Sequence, residues 1–190
     1  MHTKEELYSN KIFFNAALPL VKVIANDVPS LKKQFAHVHA IIQVSAKDPD
    51  APGGKVGMHF VVNSDEWLVH LNKVDPNPHV ELEFKSVEAM NAFFKGKMSP
   101  ATLPKMKGVV THFGAFKAFL MTLLKMSSLL GATEAPKDEA TKELMVKCFF
   151  YLLSSGISQL NKMGHEDIHD WTSKSPDRVY AWAVDGYPSV

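Results

Sequence analysis

The sequence has one cysteine, almost no net charge and no apolar run of membrane-spanning length, and each shortage removes a class of function. Cys148 alone can make neither an internal disulfide nor a zinc cluster, which suits a reducing compartment and a cytoplasmic location. Twenty-one Lys and Arg against twenty Asp and Glu leave a net charge of +1, so no global basic field recruits nucleic acid. The first residues, MHTKEELYSNK, are polar and mixed in charge, unlike a secretory signal. The apolar stretch Ile12–Ala25 is broken by Asn15, Pro19 and Lys22. The longest apolar run, Phe113–Leu130, carries Lys117 and Lys125 and falls short of the ~20 residues that span a bilayer. There is no Gly-rich phosphate loop, no Gly-x-Ser-x-Gly elbow and no dinucleotide fingerprint. Ordinary counts of Gly (10) and Pro (11), with 46% hydrophobic residues, exclude collagen-like, coiled-coil and disordered chains.

What is present is a globular chain of 190 residues, enough for one domain with an extension. The spacing predicts two short helices, Leu18–Asn26 and Ser30–Phe35, separated by Asp27-Val28-Pro29. From His37 the period becomes two: Val38, Ala40, Ile42 and Val44 on one face, His39, Ile41 and Gln43 on the other. Asp48-Pro-Asp-Ala-Pro-Gly-Gly54 closes a hairpin onto Met58, Phe60 and Val62, and Asn63-Ser64-Asp65 leads into Glu66–Leu71. After Asp75-Pro-Asn-Pro78, Val80, Leu82 and Phe84 alternate with Glu81 and Glu83. Three hairpin links predict an antiparallel sheet with one face buried and the other partly wet.

At Ser86 the period becomes helical, with Ser86 as N-cap, Ala89 at the third helical position and an apolar stripe of Met90, Phe93 and Phe94. A short strand over Met106–Val110 and a long helix over His112–Leu130 follow. That helix is apolar all round, so it is expected to be covered on both sides or to touch lipid. A further helix over 137–163 carries Leu144, Cys148, Tyr151 and Leu152 on one stripe, widened by Phe149, Leu153, Ile157 and Leu160. It must pack beside the helix ending at Leu130 or against another subunit. Arg178–Val184 reads as a strand, and Asp185-Gly186 as a turn with four residues left. This predicts completion by another chain, with a homodimer expected, or a natural product that continues past Val190.

Between Gly53 and Gly108 lie QVSAKDPDAPGGKVGMHFVVNSDEWLVHL (beginning just upstream), PHVELEFKSVEAMNAFFKGKMSP and KMKG. A helix pair precedes them, and the series resembles the sterol carrier protein 2 family over about residues 18–130. The resemblance implies an α/β fold of α+β type, with a five-stranded, mainly antiparallel sheet covered by helices. It divides the chain into an N-terminal segment 1–17, a lipid-binding domain 18–131 and an extension 132–190. It also implies an apolar tunnel between sheet and helices for a fatty acid, acyl-CoA, phospholipid or sterol-like molecule, bound without catalysis and without a cofactor. The family's longer segment after Gly-Lys-Met-x-Pro is reduced here to Ala101-Thr102-Leu103-Pro104, so the tunnel entrance is expected to differ.

The residues expected to line such a tunnel are Phe60, Val62, Trp67, Phe84, Met90, Phe93, Phe94, Met98, Leu103, Met106, Phe113, Phe116, Phe119, Leu120, Leu123 and Leu124. The same stripes could instead fill a solid core, in which case the domain serves as an accessory or oligomerising module of a larger enzyme system. From Ala89 to Thr133 there is no acidic residue but there are six lysines, Lys95, Lys97, Lys105, Lys107, Lys117 and Lys125. They either dock on an anionic membrane surface or simply solvate. The tightest histidine group, His165 and His169 with Glu166 and Asp170, lacks a third ligand and is read as surface, so no metal is expected. His37, His39, His59 and His70 fall on strands, where some could meet.

Overall fold

The computed structural model describes residue 14 and residues 17–94, 99–130 and 136–162. Helix α1 (Leu20–Asp27) buries Leu20, Val21, Ile24 and Ala25, and α2 (Pro29–Phe35) buries Leu31 and Phe35. They are separate helices because Val28 precedes a proline. Its φ −93° and ψ 111° are the extended geometry that proline imposes on its predecessor. Phe14 and Ala17 are buried in the same core.

Strand β1 (His39–Lys47) pairs antiparallel with β2 (Lys55–Asn63), from His39 opposite Asn63 to Lys47 opposite Lys55. The link is closed by a 3₁₀ turn, Pro52–Gly54, in which Gly53 (φ 78°) and Gly54 (φ 72°) take left-handed conformations that favour glycine. Strand β3 (Glu66–His70) pairs antiparallel with β2. Both of these hairpins are as the sequence predicts.

The third link is not a hairpin. Strand β4 (Val80–Phe84) lies beyond β1 and runs parallel to it, with Ile42 opposite Val80 and Ala46 opposite Phe84. Residues 71–79 therefore connect one side of the β2–β1 pair to the other, tied by Asp75 N donating to Gln43 Oε1 (2.6 Å) and His59 Nδ1 to the Lys73 carbonyl (2.8 Å). The two prolines of Asp75-Pro-Asn-Pro78 have no N–H to give to a ladder, which suits a connection rather than a strand. Strand β5 (Lys105–Lys107) pairs antiparallel with β4, giving the order β3-β2-β1-β4-β5, with three antiparallel ladders and one parallel. β5 is shorter than expected: Gly108 follows it at φ 73°, where an added Cβ would lie 1.8 Å from the His79 carbonyl oxygen.

Helix α3 (Val87–Phe94) starts as predicted, with Ala89 N donating to Ser86 Oγ (3.2 Å). Helix α4 (Phe113–Leu130) packs on α1, α2 and β1. Helix α5 (Glu139–Lys162) begins after Asp138, whose Oδ1 accepts from Thr141 N (2.8 Å), and packs on α1 through Leu144, Cys148 and Leu152. Lys147 Nζ and Asp27 Oδ2 meet at 2.8 Å across that contact. Of the two expected settings for this helix, the chain realises a partner within itself, although that partner is α1. Val146 and Phe150, on the other side of α5, are exposed. The expected strand 178–184 lies outside the described residues, as do Met98, His165 and His169.

Candidate functional site

The helix-facing side of the sheet is an apolar layer organised by two aromatic groups. At the β3 end, Trp67 meets Phe35 of α2 at 4.7 Å between ring centroids and Phe60 of β2 at 5.5 Å, while Phe60 lies 6.0 Å from Phe119 of α4. At the β4 end, Phe84 meets Phe93 at 5.4 Å and Phe94 at 5.6 Å, and those two rings are 5.3 Å apart. Edge and tilted contacts at these distances are favoured by the ring quadrupoles. Ile42, Val44, Met58, Leu82 and Met90, all fully or nearly fully buried, belong to the same core.

The expected lipid-lining residues divide by depth. Phe60, Val62, Trp67, Phe84, Met90, Phe119 and Leu123 are buried, and Phe93, Phe94 and Phe116 are half-buried against the core. Leu103, Met106, Phe113, Leu120 and Leu124 are exposed, at 52%, 53%, 60%, 39% and 54%. Met106 stands opposite Leu82 and so shares the apolar face, but at the edge strand it is uncovered. On α4 the buried side is Ala115, Ala118, Phe119, Thr122, Leu123, Met126 and Leu129. Phe113, Lys117, Leu120 and Leu124 recur at helical spacing on the opposite side. Of the two settings expected for this helix, cover on both sides or contact with lipid, the first is corrected: one side packs inward, and the other is an apolar stripe facing solvent.

The opposite side of the sheet was expected to be partly wet. It is so at its borders, where His39, Lys47, Leu68 and Lys107 are exposed, but at its centre Gln43, Ser45, His59, Glu81 and Glu83 are buried. Glu81 Oε1 accepts from Ser45 Oγ (2.6 Å), Gln43 Nε2 (2.9 Å) and Lys55 Nζ (3.3 Å), and Oε2 from Lys107 Nζ (2.8 Å). Glu83 Oε2 accepts from Lys55 and, at 2.9 Å, from Lys107. Burial alone would raise the pKa of Glu81, but the hydrogen bonds from Lys107, Ser45 and Gln43 and the charge of Lys55 outweigh it and bring it down to about 2. Hydrogen bonding from Lys55 lowers Glu83, and the two glutamates hold Lys107 above its ordinary value. These carboxylates stay ionised at neutral pH. Lys107, one of the six lysines of the acid-free segment, is committed to it.

Sequence reasoning did not find this cluster, because the alternation of Val80–Phe84 says only that Glu81 and Glu83 face away from the core. The pairing that sets Lys107 opposite Glu81 is long-range. Of the strand histidines, His59 and His70 stack with centroids 4.6 Å apart, and His39 Nδ1 donates to Asn63 Oδ1 (2.6 Å). Burial, then the charge of His59, lowers the pKa of His70. An open cleft of about 610 Å³ is lined by Lys47, Pro49, Asp50, Gly54, Lys85, Ser86 and Glu88, none of them an expected lipid-lining residue. Among the described residues, no three His, Cys, Asp or Glu side chains gather as metal ligands, and no helix is long and apolar enough to cross a membrane.

No family model matches the sequence, and no curated protein does. Two solved structures are similar. The crystal structure of sterol carrier protein 2 has a TM-score of 0.44 and 12% identity, covering 60% of this chain and 95% of that one. The solution structure of a conserved hypothetical protein from Thermus thermophilus, described as possibly a sterol carrier protein, has a TM-score of 0.42 and 12% identity, covering 66% of this chain and 90% of that one. At this level neither likeness bears on ligand or activity.

Proposed function

We propose that this protein binds a lipid non-catalytically, with the acyl or ring portion between the sheet and helices α3 and α4. The observation that carries the reading is the gradation in depth of the apolar side chains, from buried Phe60 and Phe119, through half-buried Phe93, Phe94 and Phe116, to exposed Leu103, Met106 and Phe113. A lipid entering between the sheet and the helices needs such a rim. The sequence resemblance supports the same reading. Lys117, exposed on the solvent stripe of α4, and Lys125 supply cations for a transient encounter with an anionic membrane surface, at about 1 kcal/mol each near such a surface. A cytoplasmic setting fits the single buried cysteine.

Native mass spectrometry of the purified chain, delipidated and then mixed with fatty acid or phospholipid vesicles, tests this. A one-to-one lipid adduct is expected. A chain that remains free of lipid contradicts the reading, and stoichiometric zinc would redirect attention to an enzyme.

A second reading, an accessory or homodimerising module, is favoured by exposed Val146 and Phe150 on α5. A sedimentation measurement at micromolar concentration separates the two: a dimer that takes up no lipid supports the second.

A further inference from the structure

Among the described residues, one buried polar side-chain atom of the apolar layer has no hydrogen-bond partner. Trp67 is 4% exposed, and its indole Nε1 is buried without a hydrogen-bond partner. A buried donor left unmade costs free energy, so a native structure that keeps one leaves the atom to be explained. Phenylalanine would supply the same edge contacts to Phe35 and Phe60 without that cost.

A cation sits beside the same residue. Lys22 of α1 is half-buried, and its Nζ donates to the Trp67 backbone carbonyl at 2.9 Å. An ammonium has three donors, and the carbonyl takes one. β3 is an edge strand, so this pair lies at the border of the apolar layer, at the opposite edge from β5. An unpaired neutral donor and a partly solvated ammonium, next to an aromatic wall, suit an anionic acceptor on a hydrocarbon chain.

We infer that Trp67 Nε1 and Lys22 Nζ form the polar end of the lipid site and select a long-chain carboxylic acid, whose ionised carboxylate accepts from both. This rests on the lipid-binding reading and deepens it by naming the headgroup chemistry. The acyl chain would then run inward past Phe60 and Phe119.

The test uses the full chain and three proteins: wild type, Trp67→Phe, which keeps the ring but removes the donor, and Lys22→Met, which keeps the aliphatic stem. Sodium oleate and 1-octadecene, a chain of equal length with no acceptor, each compete with Nile red. Wild type is expected to bind oleate roughly tenfold or more tighter than octadecene. Each variant should lose most of that preference while its octadecene affinity stays within about twofold. In a ¹⁵N spectrum the indole N–H of Trp67, assigned by its absence in Trp67→Phe, should shift downfield with oleate and not with octadecene. If both ligands compete equally on wild type, or both variants keep the preference, the inference fails while lipid binding stands. An N–H of Trp67 that rests on a neighbouring ring would give that result, with Trp67→Phe altering only stability. If neither ligand displaces the dye from wild type, the lipid-binding reading fails and takes the inference with it.

Discussion

Replacing Glu81 with alanine should destabilise the fold by about 3 kcal/mol at neutral pH, and the structure shows where that comes from. The substitution removes the acceptor of two buried donors, Gln43 Nε2 and Ser45 Oγ, in residues 1% and 0% exposed. Each orphaned donor costs roughly 1–3 kcal/mol. Lys55 and Lys107 are partly solvated and keep Glu83, so their loss is small. Removing a buried carboxylate returns part of its desolvation cost, which holds the sum near the lower half of the range. Glu81→Gln, which keeps an acceptor and loses only the charge, should cost about half as much. The pH dependence has a definite sign. The pKa of Glu81 falls from 4.5 to about 2 on folding, so its stabilisation is present above pH 4.5 and is lost as pH drops through 2. Urea unfolding followed by circular dichroism should therefore show the gap between wild type and Glu81→Gln closing between about pH 4.5 and pH 2. A Glu81→Ala protein within 1 kcal/mol of wild type at pH 7, or a Glu81→Gln gap unchanged at acid pH, would refute the reasoning.

Leu120→Asp, on the solvent-facing stripe of α4, should leave the melting temperature nearly unchanged yet abolish uptake of a fluorescent fatty acid, and normal uptake would show that this stripe does not serve the site. Phe116→Asp, half-buried against the core, should lose both uptake and stability, measured by the same dye and by thermal melting. Gly108→Ala should destabilise by more than ~2 kcal/mol in urea, because its Cβ would meet the His79 carbonyl oxygen at 1.8 Å from a left-handed backbone. Burial pushes the Cys148 thiol up to about 11, so at pH 8 it should react with a disulfide reagent only as fast as the protein unfolds.

Local signals carried far where local physics decides. Val28 before Pro29, Ser86 before Ala89 and the Gly-Gly turn each marked an element boundary within a residue or two, because capping and φ restriction act over one turn of chain. The two faces of β1 and β2 were legible for the same reason. What the sequence did not reveal was set at long range. Nothing in Val80–Phe84 tells whether that strand folds back on β3 or crosses to β1, and the parallel ladder follows from the second choice. Once β4 lies between β1 and β5, Glu81 acquires Ser45, Gln43, Lys55 and Lys107, residues 26 to 38 positions away. The apolar inventory included side chains of the layer, such as Phe60, Phe84 and Phe119, together with others that face solvent, such as Leu120 and Leu124. That Phe119 is buried and Leu120 is not depends on how α4 is rotated against α1, α2 and β1.

The central claim is that a lipid enters between sheet and helices. The most direct test is a set of intermolecular nuclear Overhauser contacts between ¹³C-labelled oleate and protein methyl groups. The account predicts contacts to Ile42, Leu82 and Leu123 on the helix side of the sheet, and none to Leu68 on β3, which is 63% exposed. Contacts confined to Leu68 and Val110, or no contacts at saturating oleate, would contradict it.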